Sequence, residues 1–380
     1  MVDSRRAGLV IGRTVIAVVS VAALAAVGFG WFTVHQFRAS TNTTTALAEV
    51  HSEPNQPAPD DGATDILLVG DDSRTDAQGN PLPTRVLTQL RTQFDAGLNT
   101  DTIMLLRLPH NGGPAYAISI PRDTYVSIPG YRTDKINSAY GVTKARAAQQ
   151  LPASNHRDQD SSVAGQKALI ETVQNLTGAH VDHYVEVNLY GFYLLSQAVG
   201  GVQVCLKHAT SDPDSGANFR AGTQLVSGAN ALSFVRQRKN LPNGDLDRIV
   251  RQQVFLASAA RKVLSAGTLT SPGALSALLD AMKKSLVTDP GLDLTALVPQ
   301  FQGLASGAVT FVTIPVVNSN AVSPTGQSIV QVDVPRVQKF VAALNAPPVA
   351  TRTAAPPPPP PAATNEPTPP VSIDGVRCVD

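Results

Sequence analysis

Apolar residues fall into three patterns along this chain. The first is one uncharged stretch from Thr14 to Val34, preceded by Arg5, Arg6 and Arg13. About 20 such residues cross a hydrocarbon core as a helix, and positive charge ahead of them keeps the amino end cytoplasmic. Residues 1–13 therefore read as a cytoplasmic end and 14–34 as a transmembrane anchor. Ala23-Leu24-Ala25 resembles a signal-peptide cleavage site, but the apolar run continues through Phe29, Trp31 and Phe32, which favours the anchor. Either reading exports everything that follows.

The second pattern is the short continuous apolar run that suits a buried strand. Asp65 to Val69, Thr102 to Leu106, Tyr116 to Ile120, His183 to Val187, Val202 to Leu206 and Val309 to Val316 are of this kind. Pro121 stops the third of them, because proline has no N–H for a ladder. The third pattern has helical period: Asn137 to Gln149, Val163 to Leu176, Phe192 to Val199, Gly228 to Val235, Asp245 to Leu264 and Pro272 to Leu286. Val86, Leu87, Leu90 and Phe94 add a short helix in a surface loop. Strands alternating with helices predict an α/β domain, a central mixed sheet flanked by helices in three layers, over residues 63–345. Residues 35–62 lack a sustained apolar period and read as an extracytoplasmic tether. Residues 346–370 are Pro-rich and favour extended polyproline II geometry. The tail, 371–380, regains apolar alternation and predicts a short edge strand.

Composition narrows the setting. A hydrophobic content of 43% supports a large core, and a net charge of +1 lacks the basic excess of a general nucleic-acid binder, so no nucleic acid is expected as a partner. The chain has two cysteines, Cys205 and Cys378. An oxidising exterior would let them pair if the fold brings them together, pinning the tail to the domain; otherwise both remain thiols.

Charge is concentrated where the strands end. Asp71-Asp72-Ser73-Arg74 follows the first run, Arg122-Asp123 follows Pro121, and Arg236-Gln237-Arg238 leads into a helix carrying Asp245, Arg248, Arg251 and Gln252. Guanidinium groups gathered this way hold several phosphate oxygens at once. Arg236 and Arg238 face one side only if the chain is extended there, so the helix before them is expected to have ended. Arg248 and Gln252, four apart, share a helix face; Asp245 is placed to orient Arg248, and Arg251 to sit at the rim. Asp72 and Asp101 stand where two strand ends could converge, the sparse carboxylate set that Mg²⁺ accepts. The blander alternatives are a turn cap or Arg74 partner for the acids, and an ion pair with Asp123 or Asp134 for Arg122. There is no nucleotide phosphate loop and no Gly-x-Ser-x-Gly elbow, and His180 with His183 is too small a set for zinc.

These motifs together resemble the LytR-CpsA-Psr family of bacterial cell-envelope assembly. The carrying residues are Asp65 to Arg74, Asp101 to Met104, Ser119 to Thr124 with Asp134 to Asn137, Val199 to Val202, and Arg236 to Gln252, in order over roughly residues 63–265. The resemblance implies a phosphotransferase that moves a glycopolymer phosphate from a polyprenyl-pyrophosphate-linked glycan to a muramic acid hydroxyl of peptidoglycan at the outer membrane surface. It implies Mg²⁺, with Mn²⁺ as a substitute, on Asp72 and Asp101. Arg122, Arg236, Arg238, Arg248 and Gln252 would contact the pyrophosphate as catalytic residues, with Arg74 in support. Many relatives carry an arginine two places before the second metal-binding aspartate; Asn99 stands there in this chain. The Pro-rich tail and low lysine content point to an actinobacterial wall with arabinogalactan as the polymer. A polyprenyl-pyrophosphate hydrolase and a non-catalytic wall-binding or regulatory protein are the competing readings.

Overall fold

The computed structural model describes residues 42–54, 56–92, 98–154, 156–264, 272–292, 309–345, 371–372 and 376–380. The cytoplasmic end and anchor expected at 1–34 and the Pro-rich linker at 346–370 lie outside the described residues, as does Phe94. Among the described residues no helix is long and apolar enough to cross a membrane.

Strands β1 (Asn42–Thr43), β2 (Ala63–Asp71), β3 (Thr100–Pro109), β4 (Ala115–Ile120), β7 (His183–Val187), β12 (Leu286–Thr288), β13 (Val309–Thr313) and β16 (Val371–Ser372) form one mixed sheet in the order β1-β12-β7-β2-β3-β4-β13-β16. At its centre β2 runs antiparallel to β3 and parallel to β7, and β3 runs antiparallel to β4. Two hairpins lie off it, β5 (Tyr125–Ser127) with β6 (Thr133–Lys135) and β9 (Thr210–Asp212) with β10 (Ala217–Phe219). A second sheet joins β8 (Val202–Leu206), β11 (Gly222–Val226) and β17 (Cys378–Val379), and β14 (Asn318–Val322) pairs with β15 (Ser328–Gln331). The tail thus supplies edge strands to both sheets.

The helices are α1 (Ala46–His51), α2 (Thr84–Gln89), α3 (Ser138–Gln150), α4 (Arg157–Thr177), α5 (Leu189–Ala198), α6 (Ala229–Arg236), α7 (Asp245–Leu264), α8 (Pro272–Ser285) and α9 (Val334–Ala343). Alternate residues of the central strands enter two cores. Ile66, Met104 and Leu106 pack with Phe234 of α6 and Val254 and Phe255 of α7 on one face. Leu67, Val69, Ile103, Leu105 and Ile118 pack with Leu169, Ile170 and Val173 of α4 and Val337 of α9 on the other. Both faces being covered explains why the strands read as unbroken apolar runs. Each fully buried leucine contributes about 2 kcal/mol of transfer free energy.

The tether reading of 35–62 needs correction. Strand β1 and helix α1 fall inside it, and Ala46, Leu47 and Val50 are buried in the α4-side core. Three buried positions over six residues make a face too short to register as a sustained period. Only tertiary packing stabilises so short a helix.

Candidate active site

The carboxyl end of β2 meets the start of β3 in an irregular register. Gly70 pairs with Thr102, but Asp71 pairs with Thr100, leaving Asp101 as the unpaired extra residue of a β-bulge. A bulge re-aims side chains, and here the consecutive Asp101 and Thr102 both line one cavity. Gly70 allows the close approach: a Cβ there would stand 3.0 Å from Cβ of Thr102.

That cavity, of about 210 Å³, brings together Asp71, Asp72, Asp101, Arg236, Arg248 and Gln252. Its remaining walls are mainly apolar, with Leu68, Met104, Val185, Phe192, Phe255 and Leu256 among them. Charged groups and a larger apolar surface therefore share one cavity.

Asp101 is the hub of the charged group. Its Oδ1 accepts from Arg122 Nη1 at 2.5 Å, and Oδ2 stands 4.0 Å from Arg248 Nη1. Burial alone would raise its pKa, but Arg122 and Arg248 outweigh that and hold the carboxyl below the usual range. Asp245 takes a wider part than orienting one arginine. Its Oδ1 lies 2.9 Å from Arg248 Nη2, 3.4 Å from Arg122 Nε and 3.7 Å from Arg238 Nε, tying three guanidinium groups to one carboxylate. Burial pulls the Arg122 pKa down, but Asp101, Asp245 and Asp123 more than offset it and leave it raised. Arg248, only 2% exposed, ends below its ordinary value because burial dominates over Asp245. Arg122 Nε and Arg248 Nε are buried without a hydrogen-bond acceptor, donors suited to an anion's oxygens.

Arg236 corrects one expectation. It is the last residue of α6 rather than part of an extended segment. The backbone turns extended immediately afterwards, at Gln237 with φ −58° and ψ 134°, and Arg238 follows beyond the helix. Arg236 lines the cavity, its pKa lowered by burial and then by nearby Arg74. Arg238 is 51% exposed on its side chain, at the rim. Gln252 donates to the carbonyl of Val235 at 3.3 Å, which links α7 to the end of α6.

Asp72 is oriented by backbone as well as by an arginine. The N–H of Asn99 donates to Asp72 Oδ1 at 2.7 Å, and the N–H of Asp72 donates to the carbonyl of Asn99 at 3.0 Å. Position 99 thus serves Asp72 through its main chain, which any residue type but proline provides. Arg74 Nη1 stands 3.7 Å from Asp72 Oδ2. The pairing weighed for Arg122 with Asp123 is present at 3.7 Å, whereas Asp134 instead pairs with Arg132.

A match to the LytR_cpsA_psr family model covers residues 31–346. The chain belongs to this family. It is 47% identical over 347 residues to the cell wall biosynthesis protein LcpA of Corynebacterium glutamicum, covering 90% of this chain but 66% of that protein. It is 31% identical over 261 residues to the polyisoprenyl-teichoic acid–peptidoglycan teichoic acid transferase TagU of Oceanobacillus iheyensis, covering 68% of this chain and 69% of that one. A solved structure of TagT bound to LI-WTA superposes with a TM-score of 0.52 at 22% identity, over 77% of this chain and 93% of that one, a likeness of fold.

Several buried residues around this site were missed or misplaced by the sequence reading. Arg251, expected at the rim, is fully buried: its Nε donates to the backbone carbonyl of Asp380 and its Nη1 to Gln237 Oε1. Gln253 holds α7 to the sheet through Ser119 Oγ at 2.9 Å. Glu186 lies buried beside Asp71, accepting from Tyr184 OH at 2.5 Å and Gln166 Nε2 at 2.9 Å. A glutamate in the alternation of His183 to Val187 was the available signal for it.

Proposed function

We propose that this protein is a membrane-anchored, extracytoplasmic phosphotransferase. It moves a glycopolymer phosphate from a polyprenyl-pyrophosphate carrier to a muramic acid hydroxyl of peptidoglycan, arabinogalactan being the polymer that composition favours. One observation carries the reading: arginines and acids converge on a cavity whose remaining walls are mainly apolar. A polyprenyl pyrophosphate has the same polarity, a doubly charged head on a hydrocarbon tail. The names of LcpA and TagU support the same direction.

Asp72 and Asp101 fit Mg²⁺ in kind: both offer hard carboxylate oxygens to one cavity, Asp101 is held ionised, and Mg²⁺ takes one or two protein carboxylates. When bound, the ion supplies positive charge against the phosphate oxygens; Mn²⁺ suits the same ligands. Arg248 and Arg122 bind the pyrophosphate through Nε donors that lack an acceptor, while their remaining contacts to Asp101 and Asp245 hold the guanidinium groups in place. Because these groups are held before substrate arrives, charge developing on the leaving polyprenyl phosphate meets oriented donors without reorganisation. Arg236 and Gln252 complete the inner wall, and Arg238 and Arg74 stand in support.

The test is transfer by the full-length chain of a short glycan from a lipid pyrophosphate to peptidoglycan in the presence of Mg²⁺. A new phosphodiester-linked product is expected. Release of free glycan phosphate instead would make the protein a hydrolase, and no turnover at all would make it a binding protein.

A further inference from the structure

The tail enters the fold at one specific place. Cys378 is bonded to Cys205, β17 lies parallel to β8, and the N–H of Lys207 donates to the carbonyl of Val379 at 2.8 Å. This brings the backbone carbonyl of Asp380 to 2.6 Å from Nε of Arg251. Arg251 sits three residues after Arg248 and immediately before Gln252 on α7. Its guanidinium lies over the Phe234 ring at 5.0 Å and donates through Nη1 to Gln237 at 2.8 Å.

Gln237 is the residue between Arg236 and Arg238. It is fully buried, and its Nε2 donates to Thr210 Oγ1 at 2.5 Å and to the carbonyl of Lys239 at 3.0 Å. The side chain therefore fixes the turn by which the chain leaves α6, and Arg251 fixes the side chain. Asp212 holds the same turn from its other side, accepting from the N–H groups of Arg238 and Lys239 at 3.3 and 3.4 Å.

We propose that Arg251 is a positioning residue through which the docked segment 376–380 sets the Arg236–Arg238 turn, making the tail part of the phosphate clasp at one remove. The inference rests on the reading of Arg236 and Arg238 as phosphate ligands. The physical reason is that a buried guanidinium is restrained by its acceptors. With the Asp380 carbonyl removed, Nε loses its acceptor in a site closed to water, and Arg251 no longer holds Gln237 in one place.

The test uses the full chain in detergent, comparing the parent with Cys205→Ala/Cys378→Ala, Gln237→Ala and Arg251→Lys. Hydrogen exchange of the Arg238 and Lys239 amides is expected to accelerate about tenfold in each variant while the amides of β2 keep their protection. Arg251→Lys serves if the cysteine variant fails to fold, since it keeps the charge and removes the double hydrogen bond. Binding of geranylgeranyl pyrophosphate with Mg²⁺ is expected to weaken about fivefold in the cysteine variant and in Gln237→Ala, with no further loss when the two are combined. Unchanged exchange at 238 and 239, or affinity losses that multiply in the combination, would overturn the proposal. Failure of the parent to bind that probe would count against the phosphate reading, and exchange would still decide whether the tail sets the turn.

Discussion

Two pairs of acids stand beside the same cavity, and Asp101 of one pair ionises in the opposite direction from Asp71 and Glu186 of the other. Asp101 and Asp245 are surrounded by Arg122, Arg238 and Arg248, and Asp101 is held below the ordinary carboxylate range despite its burial. Asp71 and Glu186 are buried with each other instead: Asp71 is pushed up to about 8 by burial and then by Glu186, and Glu186 is raised by burial against its hydrogen bonds from Tyr184 and Gln166. Desolvation acts on Asp101, Asp71 and Glu186 alike, so the guanidinium groups near Asp101 decide the difference. The first pair holds arginines together around shared carboxylates. The second is pushed toward its protonated form by burial.

The largest break in this comparison is Arg248→Ala. It should cut transfer about 1000-fold and leave Asp101 and Asp245 poorly compensated, costing about 3 kcal/mol of stability. Steady-state transfer and denaturant melts measure the two effects, and Arg248→Lys should not restore the rate because a point charge lacks the fork. Next, chelation should abolish transfer and Mg²⁺ restore it, with Asp72→Asn and Asp101→Asn each lowering the rate about 100-fold. A rate indifferent to both would remove the metal from the reading.

The second pair is tested by pH. Its folded pKa values lie above the ordinary ones, 3.8 for Asp71 and 4.5 for Glu186, so the folded protein retains protons that the unfolded chain releases. Stability should therefore fall as pH rises from about 4 to about 8 and level off above. Glu186→Gln should flatten that slope and stabilise the protein near pH 8 by roughly 1 kcal/mol, read from thermal melts across pH. Asp101 has the opposite sign: its contribution is present at neutral pH and disappears only as pH falls below the normal carboxylate range. The smallest effect is expected for Arg238→Ala. Its exposed side chain contributes under about 0.5 kcal/mol to stability, while transfer should drop about tenfold if it contacts the phosphate.

Much of the scaffold was legible because its cause is local. The strands His183 to Val187 and Val202 to Leu206 and the helix from Asp245 to Leu264 stand where period and run length put them. Sites built from ordered side chains were harder to read. The expectation that α6 stops before Arg236 failed by one residue, because extended backbone was required only from Gln237 onward. Arg251 looked like a rim residue because its acceptors, Gln237 and the Asp380 carbonyl, are 14 and 129 residues away.

The sequence by itself determined the alternation of strand and helix, the family, and the stock of arginines and acids at strand ends, since each follows from near neighbours along the chain. Tertiary structure alone decided that a bulge at Asp101 turns its carboxylate into the cavity, that Asp245 ties three arginines, and that the tail reaches Arg251. Those outcomes depend on which distant segments share one low-dielectric space, where a single counter-charge sets whether an acid keeps its proton.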